Sequence, residues 1–170
     1  MASYFNIAGE LTQELLAPGS SVGVFKVSLT NVQKVSKCKV DLYIEKALTG
    51  KFYLLKGVEL PIGATLVYDA PSIILTSVNE FGVYIKLTDG ATFTLTGSID
   101  PAASATVPGV NTLFLNEISV GDEIVVSSET RTVSAIASNT SLTVSAATTN
   151  TANDTTPDCN PTALVDVIIN

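Results

Sequence analysis

The stretch Cys38-Lys39-Val40-Asp41-Leu42-Tyr43-Ile44-Glu45 changes side-chain character at every position. Successive side chains of an extended backbone point to opposite faces, so this period of two predicts a strand with one buried face. Cys38, Val40, Leu42 and Ile44 would face a core, and the residues between them would face solvent. The stretch therefore indicates a sheet protein.

The same alternation recurs on both sides of residues 38–45. Phe25, Val27 and Leu29 are expected to face a core. Leu60-Pro61-Ile62-Gly63 is expected to turn the chain, because proline presets φ and glycine permits a positive φ. The strands predicted in this part of the chain and at its end cover residues 22–30, 38–45, 51–55, 64–68, 82–87 and 164–169.

Residues 92–159 repeat the pattern with shorter strands and more frequent turns, which favours a small barrel or sandwich. Residues 148–157 are rich in Thr, Asn and Asp and are expected to form a flexible linker or a long loop. Helical spacing occurs at Gly9–Ala17, before Pro18-Gly19, so we expect one short helix there or no helix. The short predicted strands are 92–98, 112–115, 123–127, 130–136 and 141–145.

Charge divides the chain into two parts. All eight lysines precede residue 90, whereas residues 92–159 carry seven acidic residues against Arg131, a net charge of −6. The other residues carry nine acidic residues against eight lysines, a net charge of −1. We therefore expect an all-β chain, with a jelly-roll-like β-sandwich body of residues 1–91 and 160–170 and a small acidic β-domain, residues 92–159, inserted before the last strand. The alternative is a plain two-domain chain whose last strand belongs to the second domain.

Composition excludes several classes of protein. No apolar run reaches the roughly 18 to 20 residues of a membrane span, and the first residues lack the pattern of a secretory signal. Without such a run no membrane is an expected partner, and since the lysines do not cluster, nucleic acid is not expected either. Cys38 and Cys159 show no metal-ligand spacing and are expected to be buried free thiols in a protein made in a reducing compartment.

The chain contains no histidine, which removes the commonest general base near neutral pH and the commonest nitrogen ligand for metals. No phosphate-binding loop or nucleophile motif is present either. We therefore expect no enzymatic activity, no cofactor and no metal. Glu117, Asp122 and Glu123 form the densest acidic cluster and could bind a divalent cation, although Gly121-Asp122 reads more simply as a turn that opens a strand.

Aromatic side chains occur within the alternating strands and near the start of the chain. This placement favours core filling or a protein interface over ligand stacking, because no basic residues interleave with the rings as single-stranded nucleic acid would require. The positions are Tyr4, Phe5, Phe52, Tyr53, Tyr68, Phe81 and Tyr84.

Two sets of motifs carry a resemblance to known families. The body resembles a group of small virion structural proteins of marine tailed phages, in which a sandwich-like module closes with a V-D-V-I-I-like strand. Residues 109–144 are similar to a module that recurs in phage tail and other virion proteins. The body motifs include Pro18-Gly19-Ser20-Ser21, Val40-Asp41-Leu42-Tyr43-Ile44, Tyr53-Leu54-Leu55-Lys56, Leu60-Pro61-Ile62-Gly63 and Val165-Asp166-Val167-Ile168-Ile169, and those of the middle region are Gly109-Val110-Asn111-Thr112-Leu113-Phe114, Val120-Gly121-Asp122-Glu123-Ile124-Val125-Val126, Arg131-Thr132-Val133-Ser134-Ala135-Ile136 and Ser141-Leu142-Thr143-Val144.

The resemblance implies a virion protein, made in the bacterial host cytoplasm, that binds other virion proteins and further copies of itself. The leading hypothesis is a capsid-associated decoration or cement protein that contacts the major capsid protein through its near-neutral body, with the acidic part facing outward. The alternatives are a neck, tail or baseplate component and a glycan-binding adhesin. Tyr4, Phe5 and Ile7, in an N-terminal arm with little structure of its own, are the predicted interface residues.

Overall fold

The computed structural model describes residues 2–75 and 80–170, and nearly all of its regular structure is β. Its elements in chain order are β1 (Ser3–Ala8), β2 (Gln13–Leu16), β3 (Gly23–Asn31), β4 (Cys38–Lys46), β5 (Gly50–Leu60), β6 (Thr65–Ile74), β7 (Gly82–Thr88), β8 (Phe93–Thr94), β9 (Ser98–Ile99), β10 (Thr106–Val110), α1 (Phe114–Glu117), β11 (Glu123–Val126), β12 (Glu129–Ser138), β13 (Ser141–Val144), β14 (Asp158–Asn160) and β15 (Leu164–Ile169).

The chain forms two compact units. The first, called the body, comprises Met1–Gln33, Lys37–Asp89 and Ala163–Asn170, and the second, called the insertion, comprises Lys34–Ser36 and Gly90–Thr162. The predicted insertion, residues 92–159, begins two residues later and ends three residues earlier than the long segment Gly90–Thr162. Met1 and residues 76–79, which the predicted body includes, lie outside the described residues.

The body consists of two four-stranded antiparallel sheets. Sheet I has the order β1-β15-β3-β6, and sheet II has the order β2-β7-β4-β5. The strands form four nested antiparallel pairs, β1 with β15, β2 with β7, β3 with β6 and β4 with β5, and successive pairs alternate between the two sheets. This is the strand order of a jelly roll, so the predicted jelly-roll-like sandwich is confirmed.

The core of the body lies between the inner faces of the two sheets. Val165, Val167 and Ile169 of β15 alternate into this core, because every second side chain of a strand faces the same way. The strand pairs with β1 on one side and β3 on the other, so the prediction that the last strand completes the body is confirmed. The core also includes Ile7, Leu15, Val24, Val27, Leu29, Val40, Leu42, Leu60, Val83, Ile85 and Leu87.

Two predicted positions are wrong. Tyr43, expected to face solvent, is only 1% exposed, because the neighbouring side chains Tyr53, Tyr84 and Lys51 cover its ring. Phe25, expected in the core, is the second. Phe25 is 58% exposed, whereas its neighbour Val24 is fully buried. The backbone N–H groups of Phe25 and Lys26 both donate to the carbonyl of Asn170, at 2.7 and 3.0 Å, which marks a β-bulge. The extra residue shifts the alternation by one position and turns Phe25 outward.

The insertion is a small closed barrel. Its strand order is β8-β14-β11-β12-β13-β10-β9, and the two end strands belong to one stretch of chain, residues 93–99. That stretch runs antiparallel to residues 154–160, since Phe93 pairs with Cys159 and Ile99 bridges Asp154. Because β9 also pairs with β10, the sheet closes on itself. The barrel core contains Leu95, Ile99, Val107, Phe114, Ile118, Ile124, Val126, Val133, Leu142, Val144 and Cys159.

The helix prediction is wrong in position. Gln13–Leu16, within the predicted helix, forms β2 and pairs with β7, and Leu11 is 80% exposed, so no helical apolar stripe is buried there. The single described helix, α1, starts at Phe114, where a strand was predicted over residues 112–115. Asn139 explains the difference, because its backbone carbonyl accepts the Phe114 N–H and its side-chain oxygen accepts the Leu115 N–H.

The ends of the insertion lie side by side. Within the body, the Ala163 N–H donates to Asp89 Oδ1 at 2.6 Å, and this bond ties the last body residue before the insertion to the first body residue after it. Within the insertion, the Thr92 hydroxyl donates to Asn160 Oδ1 at 2.7 Å. Entry and exit at one point are what an inserted domain requires.

Candidate interaction surface

The outer face of sheet I carries a row of apolar side chains. Tyr4, Ile168, Ser28 and Val67 lie opposite one another on four adjacent strands. Their register places them on one face, and Tyr4 is 72%, Val67 51% and Ile168 36% exposed. Phe25, turned outward by the bulge, lies beyond the next outward row, Lys26 and Asp69, with its ring against Gly23. The three residues Tyr4, Val67 and Ile168 are called the apolar stripe below.

Polar rows border the apolar stripe. On one side Asn6, Asp166, Thr30 and Thr65 lie opposite one another, with hydrogen bonds from Asn6 Nδ2 to Asp166 Oδ1 and between the two threonine hydroxyls. On the other side Lys26 lies 3.6 Å from Asp69. The polar side chains thus pair with one another, whereas the apolar ones present surface to solvent. A polar rim around an exposed apolar centre is typical of a protein interaction site.

The predicted interface residues occupy different environments. Tyr4 lines a shallow depression of about 150 Å³ with Phe5, Asn6, Asp166, Val167 and Ile168. Phe5 packs partly against the core, and Ile7 is only 3% exposed within it. The structure also corrects the prediction of an unstructured N-terminal arm, because residues 3–8 form β1 and pair with β15.

The sequence prediction missed Phe25, Val67 and Ile168. One signal was available for Ile168, because Val167-Ile168-Ile169 is a run of three apolar residues in a strand, and such a run must turn one of them outward. No local signal marked Phe25, since its direction depends on a bulge formed with other strands.

The outer face of sheet II differs in character. Glu14, Tyr84, Tyr43 and Tyr53 lie opposite one another on its four strands, and the Tyr43 ring stacks on Tyr84 with centroids 5.8 Å apart. The Tyr84 hydroxyl donates to Glu14 at 3.3 Å, and burial, followed by the Glu14 charge, raises the Tyr84 pKa. The tyrosine row was not predicted, because cross-strand neighbours are far apart in the sequence.

Two lysines cover this tyrosine row. Lys51 Nζ lies 4.4 Å from the Tyr43 ring centroid and donates to its hydroxyl, which raises the Lys51 pKa. Lys56 Nζ lies 4.0 Å from the Tyr53 ring centroid and 3.1 Å from Asp41 Oδ2. These cations occupy ring faces that a sugar or a base would otherwise stack on. The row therefore stabilises the sheet itself.

The loops of the insertion around Glu129 are polar, whereas exposed apolar side chains occur elsewhere in the insertion, at Val110, Leu113, Leu115 and Val120. The Glu129 carboxylate accepts hydrogen bonds from the Thr149 N–H, the Thr149 hydroxyl and the Asn150 N–H, and it pairs with Arg131. The bonds from Thr149 and Asn150, more than the Arg131 charge, lower the Glu129 pKa to about 2. Residues 148–157, predicted as a flexible linker or a long loop, thus form a loop that is anchored to the barrel. It borders an open polar depression of about 430 Å³, whose lining includes Ser127, Asn150 and Asp154.

Asp122 lies at one end of the barrel and is fully buried. Its carboxylate accepts the Ser119 N–H at 2.8 Å and the Thr162 N–H at 2.9 Å, and Gly121 before it has a φ of +98°. This geometry fits the turn interpretation of Gly121-Asp122. Within residues 2–75 and 80–170, no three Asp, Glu or Cys side chains come together as a metal site.

Both cysteines are free and buried. Burial, followed by the Asp89 charge, raises the pKa of Cys38 to about 11. Burial, followed by the Asp122 charge, raises the pKa of Cys159 to about 12. Since the thiolate is the nucleophile, both thiols are poor nucleophiles in the folded protein.

Comparison with family models, curated proteins and solved structures gives no match for this chain. No helix in the described part of the chain is long and apolar enough to cross a bilayer. The apolar stripe exposes apolar side chains on paired strands of sheet I.

Proposed function

We propose that this chain is a structural protein of a tailed-phage particle, bound to the capsid surface as a decoration or cement protein through the outer face of sheet I. The observation that carries the proposal is the apolar stripe, whose exposed side chains stand on three of the four strands of sheet I, in one cross-strand row with Ser28. The proposal assigns the chain no catalytic role and no cofactor.

The shape of this face suits adhesion to another folded protein. Its side chains project from paired strands, so little backbone entropy is lost when a partner covers them. Each large apolar side chain that becomes fully buried contributes roughly 1.5–3 kcal/mol. The paired polar rows at the border can stay hydrated, which leaves the apolar centre to supply most of the contact energy.

Charge supports binding through the body. The body, which excludes Lys34, carries nine acidic residues against seven lysines, a net charge of −2, so neither a positive nor a negative surface repels it strongly. Residues 92–159 carry −6, which would repel an acidic shell and neighbouring copies. We therefore assign the particle contact to the body and exposure to solvent to the insertion.

Architecture and sequence resemblance support the same class of function. Jelly rolls occur in viral capsid proteins, and also in lectins and cupins, so the fold alone does not choose among functions. The motifs that resemble marine phage virion proteins favour the particle. A neck, tail or baseplate position would use the same surfaces, and copy number separates it from the shell, because a decoration protein approaches the copy number of the major capsid protein.

The test uses particles that lack the protein, with purified chains added back. Val67→Asp combined with Ile168→Thr places polar groups in the apolar stripe at exposed positions, and we expect it to weaken particle binding by about tenfold or more. The matched control is Leu48→Asp, which adds the same charge at a fully exposed turn residue with φ +63°, a conformation that Asp tolerates. The control should bind like the native chain.

Three results would contradict the proposal. Equal binding of the stripe variant and the control would remove the apolar stripe from the interface. Loss of binding only when residues 92–159 are replaced by a Gly/Ser linker would assign the contact to the insertion, and release by moderate salt would show that charge carries it. Retention on a panel of host-surface glycans, without particle binding, would favour an adhesin.

A further inference from the structure

Strand β1 is an edge of sheet I that lacks the usual protection against pairing. Among the described residues its only paired strand is β15, so the backbone N–H and C=O groups on its other side have no strand partner, and of these groups the Ala8 carbonyl accepts the Gln13 side-chain N–H at 3.1 Å. Residues 3–8, Ser-Tyr-Phe-Asn-Ile-Ala, contain no charge, no proline and no glycine. The pairing with β15 runs without a register shift from Ser3 to Ala8, so no bulge twists the edge away.

The other three edges of the body carry such protection. Strand β2 has four residues, includes Glu14 and has a register shift. Strand β5 contains Lys51, Lys56 and Glu59, and its pairing with β4 shifts register twice. Strand β6 contains Asp69 and Pro71, which has no N–H to donate, and its pairing with β3 is also shifted. Charges, proline, bulges and shortness are the devices by which sheet proteins prevent edge pairing.

We infer that two copies of this chain join through β1, forming one continuous sheet of eight strands. An occupant of this edge must be extended, uncharged and itself free to pair. A second copy of β1 meets all three conditions. Pairing of β1 with β1 uses the unprotected edge of both copies, so the assembly closes as a dimer instead of growing into a fibre.

The geometry restricts the register of this pairing, and the register centred on Phe5 pairs the most described residues. The twofold axis is perpendicular to the sheet, so outward residues must lie opposite outward residues. Placing Phe5 opposite the partner's Phe5 pairs residues 2–8, and Gly9, with a φ of +73°, ends the extended segment there. Tyr4 then lies opposite the partner's Asn6. The joined outer faces bring the two apolar stripes onto one side of the dimer.

The first measurement is the mass of the full chain in solution, by sedimentation velocity and light scattering across a concentration series. We expect about 35 kDa, twice the 17.7 kDa of one chain. A single-chain mass at every concentration, or any larger closed or open assembly, would overturn the inference. The measurement needs no particles, so the inference does not rest on the proposed function and the two can fail separately.

A pair of matched variants then locates the contact. Tyr4→Lys with Asn6→Lys places like charges directly opposite each other across the β1 seam, where we expect dimerisation to weaken by about tenfold. Thr65→Lys with Val67→Lys adds the same charge on the same outer face, at exposed positions of the opposite edge strand. The control should dimerise normally. Equal weakening by both variants would contradict a β1 contact, and unchanged thermal unfolding of each confirms that it is folded.

The register has its own test. In the inferred dimer, Tyr4→Cys with Asn6→Cys places two cysteine pairs directly opposite each other, and oxidation should give a covalent dimer. Tyr4→Cys alone leaves the two new thiols on a diagonal, about 7–8 Å apart, and should cross-link poorly. Cys38 and Cys159 are buried and do not compete. Equal cross-linking by the single and double variants would rule out the Phe5-centred register.

Discussion

The body and the insertion are both antiparallel β-structures, yet they treat the ends of their sheets differently. The body has four edge strands, β1 and β6 in sheet I and β2 and β5 in sheet II. The insertion returns its last strand to its first and closes into a barrel. Closure removes edges, whereas an open sandwich must protect each one. The open unit is therefore the one suited to pairing with other chains.

A core deletion in each unit tests whether the two are energetically separate. Phe114 in the insertion and Leu42 in the body are both fully buried. We expect Phe114→Ala to cost about 3–5 kcal/mol and Leu42→Ala about 2–5 kcal/mol, through lost contacts and a cavity. All five tyrosines lie in the body, so tyrosine fluorescence follows the body and far-ultraviolet circular dichroism follows both units. Phe114→Ala should shift only the circular dichroism transition, and a matching shift in fluorescence would show a single cooperative unit.

The buried carboxylate of the insertion should matter almost as much. Asp122→Ala leaves the N–H groups of Ser119 and Thr162 without this acceptor, and we expect a loss of about 2–4 kcal/mol from the insertion. Asp122→Asn keeps one carbonyl oxygen and should lose less. Urea unfolding followed by both probes measures the two effects. Equal losses for Ala and Asn would mean that the negative charge, and not acceptor geometry, stabilises the turn.

Much of the body was predictable because strand alternation is local. The residues of β4, β7 and β15 carry their own period of two, and their bounds differ by at most a residue or so from those expected. The bulge at Phe25, the tyrosine row of sheet II and helix α1 were not predictable. Each depends on partners distant in the sequence, namely Asn170, the neighbouring strands and Asn139.

The residues of the candidate site also divide into those that a local pattern predicts and those that depend on distant strands. Tyr4 was predicted from its aromatic character near the chain start. Val67 joins it only because β6 lies three strands away in the same sheet, which no short-range pattern reveals. Ile7 was assigned to the interface because it is apolar, but apolar character does not say which face of a strand a residue occupies.

A stabilising change should act on the insertion alone. Thr148 is 3% exposed, and its Oγ1 has no hydrogen-bond partner in the described structure. Thr148→Val keeps the β-branched shape and removes the unsatisfied hydroxyl, so we expect a gain of about 1 kcal/mol. Thr149→Val is the contrasting variant, because the Thr149 hydroxyl donates to Glu129. The circular dichroism transition should rise for Thr148→Val and fall for Thr149→Val.

The smallest expected effect is on stability at acidic pH. One carboxyl group in each unit should change the free energy of unfolding, in opposite directions, as the pH falls. The Glu129 pKa is lowered from 4.5 to about 2, so its contribution to the insertion is complete above pH 4.5 and is lost as the pH falls toward 2. In the body, burial raises the Asp89 pKa above 3.8. The hydrogen bond from the Ala163 N–H lowers this pKa, and the charge of the nearby Glu10 raises it, so the net shift is upward. A raised carboxyl pKa means that the folded body gains stability as the pH falls through that value.

Glu129→Gln and Asp89→Asn isolate these two contributions. The acid sensitivity of the insertion transition should decrease in Glu129→Gln, and that of the body transition should increase in Asp89→Asn. Urea midpoints from circular dichroism and tyrosine fluorescence across the acidic range provide the measurement. Unchanged profiles in both variants would show that other carboxyl groups set the acid response.

The bond between Asp89 and Ala163 has a consequence for engineering. It holds the two chain ends that flank the insertion beside each other, inside the body's own framework. A domain that replaces the insertion therefore needs only to have its two termini close together. Exchanging residues 92–159 for an unrelated small domain of that kind should leave the jelly roll assembled. The connection between β7 and β15 could then display foreign antigens or enzymes.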